Sequence, residues 1–76
     1  MKYMVRAGWE DVEFESDNPD VQFAVVVWVE GRKEVKGYEE EESAVRAMNR
    51  VLKKYDSLAV GARAQYYPAF YAKEGQ

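Results

Sequence analysis

Asp11, Glu13, Glu15 and Asp17 recur at every second position. On a β-strand this spacing sets carboxylates about 6.8 Å apart along one face. Such a line of negative charge could meet a basic groove or imitate a phosphate backbone. It equally suits a solvated edge strand, where like charges discourage unwanted strand pairing. Asp17, Asn18 and Asp20 resemble the opening of a calcium loop. The closing glutamate would then fall at position twelve, which is Trp28, so no metal is expected there. Arg46, Arg50 and Lys53 follow at i, i+4 and i+7, a basic stripe that with Lys54 and Arg63 could grip phosphates. No base-stacking aromatic motif accompanies them, which ranks nucleic-acid binding below protein binding. Trp28, Tyr67 and Tyr71, with Trp9, are large aromatics in excess of what one helix can cover. Residues of this kind dominate binding hot spots because they bury much area with few rotatable bonds.

Catalytic chemistry is poorly provided for. The chain has no histidine and no cysteine, which removes the commonest general base, the common nucleophile–base pairs and thiolate metal sites together. The glycines stand singly, so no phosphate-cradling loop is formed. Neither enzymatic activity nor a cofactor is expected.

The elements that must position these residues follow from periodicity. Tyr3, Val5, Ala7 and Trp9 alternate, and then the apolar parity shifts to Val12 and Phe14. A period of two cannot change phase without an interruption, so a bulge or break is expected between Gly8 and Asp11. Asp17-Asn18-Pro19-Asp20 is turn chemistry. Val21 to Val29 is apolar on both faces and reads as the central strand. Glu30-Gly31-Arg32 makes a short loop, and Lys33 to Tyr38 a polar edge strand. Glu39 to Tyr55 reads as one helix, with Val45, Met48, Leu52 and Tyr55 on one face beside Ala44, Ala47 and Val51. Acidic residues open it and basic residues close it, in accord with its dipole. From Leu58 to Ala72 one parity is apolar. A strand of that length would span roughly 50 Å, so a break is expected at Tyr67-Pro68.

Pairing Phe14 with Phe23 and Val29 with Lys33 would place Val12, Phe14, Phe23, Val25, Val27 and Val35 on one face, under the helix. The face carrying Ala24, Val26 and Trp28 would be left uncovered. The expected fold class is therefore α+β: an antiparallel β-meander of three strands, one helix over about 39–55 packed on one face, then one or two C-terminal strands. A length of 76 residues allows a single domain, 1–76.

The formal net charge of −3 conceals an asymmetry. Residues 1–42 carry 5 basic and 12 acidic side chains, and residues 43–76 carry 6 and 2. No apolar run approaches the roughly 20 residues of a membrane helix, and the N-terminus lacks a signal peptide's apolar stretch. The cytoplasm is the expected location.

The valine-rich strand, the turn Glu30-Gly31-Arg32-Lys33, the glycine before an alanine-rich helix (Ala44-Val45-Arg46-Ala47-Met48) and the closing strand from Leu58 are similar to certain phage-encoded anti-CRISPR proteins that inhibit type I effector complexes. The resemblance spans residues 22–66, is architectural, and carries over no functional residue. It implies a non-enzymatic inhibitor acting in the host cell cytoplasm.

The expected function is that of a small acidic interaction protein that binds and blocks a larger protein or nucleoprotein with a basic surface. Asp11, Glu13, Glu15 and Asp17 would supply charge, and Trp28, Tyr67 and Tyr71 the apolar anchor. Two alternatives stand beside it. One is a nucleic-acid-binding module using Arg46, Arg50, Lys53 and Lys54, and the other a structural homodimer through the uncovered sheet face.

Overall fold

The computed structural model describes residues 1–72. Six strands and a helix follow in the order β1 (Lys2–Ala7), β2 (Glu10–Glu15), β3 (Phe23–Val29), β4 (Arg32–Tyr38), α1 (Glu41–Ser57), β5 (Ala62–Pro68) and β6 (Phe70–Tyr71). They build two antiparallel three-stranded sheets, β2-β1-β6 and β4-β3-β5. The α+β class and the single helix are as expected, whereas the pairing of the first strands is not.

The interruption after Ala7 is a two-residue hairpin turn rather than a bulge. Ala7 pairs with Glu10, and Gly8 takes a φ of +74°, the left-handed conformation that a type II′ turn needs at its first central residue. β2 therefore folds back on β1, with Val5 opposite Val12 and Tyr3 opposite Phe14. The expected Phe14–Phe23 pairing does not form, and the three-stranded meander is corrected to two hairpins in separate sheets.

The second hairpin also differs by one residue. Its loop is Glu30-Gly31 alone, with φ values of +51° and +75°, so Val29 pairs with Arg32 and Val26 with Val35. A slip of one position turns every side chain of a strand to the other face. Val35 consequently lies on the side away from the helix.

β3 is buried on both faces and separates two apolar clusters. Val25, Val27 and Val29 pack with Ala44 and Ala47 of α1, joined by Met48, Val51 and Tyr55. Ala24 and Val26 pack with Val5 and Val12 of the N-terminal hairpin, joined by Phe14, Trp28, Val35 and Tyr67. The layers thus run α1, then β4-β3-β5, then β2-β1-β6. The sheet face expected to be open is covered by the protein's own first hairpin, and a homodimer through that face is corrected with it. Each valine fully removed from water here contributes about 1.5–2 kcal/mol.

α1 begins and ends two residues later than expected. Glu40 is its N-cap, and Glu41 and Glu42 occupy the first turn. At its other end, Val60 N–H donates to the Tyr55 carbonyl and Ala59 N–H to that of Asp56 (2.9 and 3.0 Å), with Ala59 at φ +56°. This is a Schellman closure whose left-handed position holds alanine instead of glycine. Leu58 is exposed in the turn and belongs to no strand.

The break in the last apolar stretch falls at Ala69. β5 and β6 are nearly one strand that leaves the β3 edge after Pro68 and joins β1, where Phe70 faces Met4 and Tyr71 faces Tyr3.

Candidate binding site at the hairpin end

Asp11, Glu13 and Glu15 project from the exposed outer face of β2, as their spacing requires. Their neighbours on β1 are Arg6, Met4 and Lys2, so two of the three carboxylates face a cation across the strands. Arg6 Nε lies 3.8 Å from Asp11, with both side chains well exposed; such a pair contributes at most about 1 kcal/mol. Asp17 is not in the row. It lies in the loop after β2, a turn organised by its neighbour: Asn18 Oδ1 accepts from Asp20 N–H (2.9 Å), and the Tyr3 hydroxyl donates to the Asn18 carbonyl (2.6 Å). Among the described residues no three acidic side chains are grouped as metal ligands.

Trp28 and Tyr67 come together, with partners that spacing alone did not single out. β6 is two residues long and covers β1 only at Tyr3 and Met4. Beyond Met4, β1 has no ladder partner on this side, and a cleft of about 280 Å³ lies there. Its walls include Trp9 and Glu10 from the first hairpin and Trp28, Arg63, Gln65 and Tyr67 from the second sheet. The Arg63 guanidinium lies 4.5 Å from the Trp28 ring centroid. On the far side of Trp28, Lys33 pairs with Glu10, tying β4 to β2 and closing the sandwich there. One face of the indole already carries a cation, so the cleft is not a cage for an ammonium ligand.

Trp9 sits at the turn, fully exposed at 101% of its reference area. The parity shift after Gly8 marks an interruption, read from sequence as a bulge or break; that it is a hairpin turn presenting Trp9 follows from the pairing of β1 with β2. Arg63, expected beside the basic stripe of the helix, lies over Trp28 instead, a position that depends on the pairing of β3 with β5.

Tyr71 lies at the opposite end of its sheet and does not join this site. Its ring stacks on Tyr3 at 4.9 Å, and its hydroxyl donates to the Pro19 carbonyl. The nearby Tyr3 hydroxyl, then burial and negative charge, holds the Tyr71 phenol above its usual range. Its role is to fasten β6 and the 16–22 loop.

Arg46, Arg50, Lys53 and Lys54 are exposed on α1, in the layer farthest from the acidic row. None makes an ion pair among the described residues. At the start of this helix, the Tyr66 hydroxyl donates to Glu41 (3.1 Å). No helix among the described residues is long and apolar enough to cross a membrane.

Compared with protein-family models, with curated proteins and with solved structures, the chain gives no match.

Proposed function

We propose that this chain is a non-enzymatic binding protein that attaches in the cytoplasm to a larger protein or nucleoprotein and blocks it. The contact surface is the hairpin end, with Trp9 as anchor, the Trp28–Tyr67 cleft behind it, and Asp11, Glu13 and Glu15 facing a basic surface. The observation that carries this reading is Trp9. A large aromatic held in water on a tight turn, outside both apolar clusters, does nothing for the fold. Covering it would contribute roughly 3 kcal/mol to an association. A non-enzymatic role is supported by the burial, among the described residues, of no carboxylate or amine and of one titratable side chain, Tyr3, whose hydroxyl is taken up by the Asn18 carbonyl and the Val21 N–H, since acid–base chemistry relies on desolvated titratable groups. A CRISPR–Cas effector, the partner class implied by the sequence resemblance, is the first to test.

The experiment is a tagged pull-down from a bacterial lysate carrying CRISPR–Cas, read by mass spectrometry and nucleic-acid absorbance. A stoichiometric effector is expected with the wild type. Trp9→Ala should lose it, and the triple change of Asp11, Glu13 and Glu15 to Ser should weaken capture and flatten its salt dependence. Retention by both variants with the same salt dependence overturns the assignment.

A second reading rests on the four cations of α1, which make no ion pair among the described residues. It expects oligonucleotide binding that falls steeply with salt. Absence of a mobility shift at low salt would remove it.

A further inference from the structure

β5 is an edge strand, and the phase of its open edge follows from the hairpin between β3 and β4. Val29 and Arg32 close a two-residue turn and so exchange backbone hydrogen bonds. The backbone groups of Ala24, Val26 and Trp28 therefore point to β5, where they meet Tyr67, Gln65 and Arg63. Ala62, Ala64 and Tyr66 point their own N–H and C=O groups outward. In the same phase, Ala69 N–H donates to the Gln22 carbonyl (2.9 Å). Tyr66 N–H donates to Gln65 Oε1 (3.2 Å), an acceptor from its own chain where the carbonyl of a neighbouring strand would lie. The side chains of Ala62, Ala64 and Tyr66 share the face of Val29, Val27 and Val25, under α1. Arg63, the one charge of β5, projects from the other face over Trp28.

One flank of α1 overhangs this edge. Glu41, Val45, Leu52 and Asp56 stand four, seven and four residues apart and so form one stripe. The helix runs antiparallel to β5: Tyr66 shares a depression with Glu41 and Val45, and Ala62 shares one with Leu52 and Asp56. Val45 and Leu52 are only half-buried and belong to neither apolar cluster. Glu41 and Asp56 are exposed and make no ion pair among the described residues. The helix dipole accounts for Glu41 in the first turn but disfavours Asp56 in the last, where a cation belongs. By helical spacing Arg46 and Lys53 stand on the solvent-facing ridge, and Arg50 and Lys54 on the opposite flank. Arg46 reaches the Glu41 end, where Glu42 offsets it. The edge is apolar at its middle and anionic at both ends.

We infer that this edge takes an extended segment of a partner protein, added antiparallel as a strand beside β5, with basic side chains at its first and fifth positions and an apolar one at its third. These three residues fall opposite Tyr66, Ala62 and Ala64 respectively, and each exchanges backbone hydrogen bonds with its counterpart. Their side chains lie on the helix side. The apolar one sits over Ala64 between Val45 and Leu52, completing a cover the chain itself leaves unfinished. The basic pair are about 14 Å apart along a strand, while Glu41 and Asp56 stand about 22 Å apart along the helix. Lysine or arginine leaning outward at each end spans the difference. The second and fourth positions lie on the cleft side beside Gln65 and Arg63, where another cation is repelled, so the segment is basic on one face only. The same charges exclude a second copy, because pairing two β5 strands about Ala64 sets each Glu41 beside the other Asp56. The edge is reached without Trp9, so the inference does not rest on the contact proposed above.

The probe is a synthetic peptide, Arg-Thr-Val-Thr-Arg with Ser-Gly at either end, titrated at low salt into isotope-labelled protein and followed by amide shifts. The amides of Ala62, Ala64 and Tyr66 should move, while the outward amides of Lys33 and Val35 on β4 stay in place. Replacing both arginines by glutamate should weaken binding about tenfold or more. Methylating the valine nitrogen, which removes a bond to Ala64, should weaken it by a similar factor. The double variant Glu41→Gln, Asp56→Asn should bind the arginine and glutamate peptides alike, with the Val26 amide still protected to show that it folds. Absence of binding at millimolar peptide overturns the inference. So does equal binding of the arginine and glutamate peptides by the wild type, or movement of Lys33 and Val35 in place of Ala62 and Ala64. Shifts at Ala62 and Ala64 that follow protein concentration without peptide assign the edge to a second copy and overturn it as well.

Discussion

Arg63 on β5 and Trp28 on β3 are directly opposed across the strands, and the guanidinium covers one face of the indole. Trp28 is thereby shielded at the mouth of the cleft, while Trp9 on the facing wall is bare to solvent. The two tryptophans should separate in acrylamide quenching. In a Trp9→Phe background only the protected class is expected to remain. Adding Arg63→Ala should expose Trp28 to the quencher and lower stability by about 0.5–1 kcal/mol.

Ala59 occupies a backbone conformation that suits glycine, at φ +56°. A side chain held there costs on the order of 1 kcal/mol. Ala59→Gly should raise stability by a similar amount, measured as a higher urea midpoint with an unchanged m-value. A decrease would show that the helix terminus is held in another way.

Gly37 has no room for a side chain. A Cβ there would stand 2.8 Å from Val21 Cγ1 and 3.0 Å from Phe14 Cε2, two apolar side chains packed between the sheets. Gly37→Ala should destabilise the protein by about 1–3 kcal/mol. Reducing Val21 to Ala in the same chain should restore part of the loss, since it opens that space; denaturation midpoints of the single and double variants give the comparison.

The Tyr66 phenol is raised above 10.0 by the hydrogen bond it donates to Glu41, by that carboxylate's charge, and by desolvation. The folded state therefore holds this proton more tightly than the unfolded chain does. Its contribution is complete below the unfolded value and is lost as pH rises through the folded one. Wild type should be more stable than Tyr66→Phe at neutral pH, and the difference should shrink as pH passes 10. Thermal melts at neutral and alkaline pH check both the sign and the window.

Much of the fold was legible because local chemistry and periodicity carried it. α1 was placed to within two residues by its 3.6-residue pattern and charged ends. The central position of β3 was visible in apolar residues of both parities. What failed was pairing. The parity shift at Gly8 fits a bulge or break as well as a turn, and it is the turn that folds β2 back on β1 and covers the second face of β3. The length of the loop after Val29 decided the face of Val35, and nothing in the composition distinguishes two residues from three. The acidic row was legible as a row, but Asp17 was carried beyond its end by the same alternation. The cleft was legible only in its aromatics. Trp28 and Tyr67 could be named from type, whereas Arg63 over Trp28 depends on the pairing of β3 with β5 and Trp9 on the turn between β1 and β2.

β5 and β6 form a strand that belongs to both sheets, fastened to β3 before Pro68 and to β1 after Ala69. Neither sheet can separate from the other without giving up hydrogen bonds to this shared length of chain. Unfolding should therefore be a single cooperative step, with amides of Val5 and Val26 exchanging at the same global rate although they lie in different sheets. The first hairpin, for all that it looks like an appendage in the chain order, would have no independent melting transition.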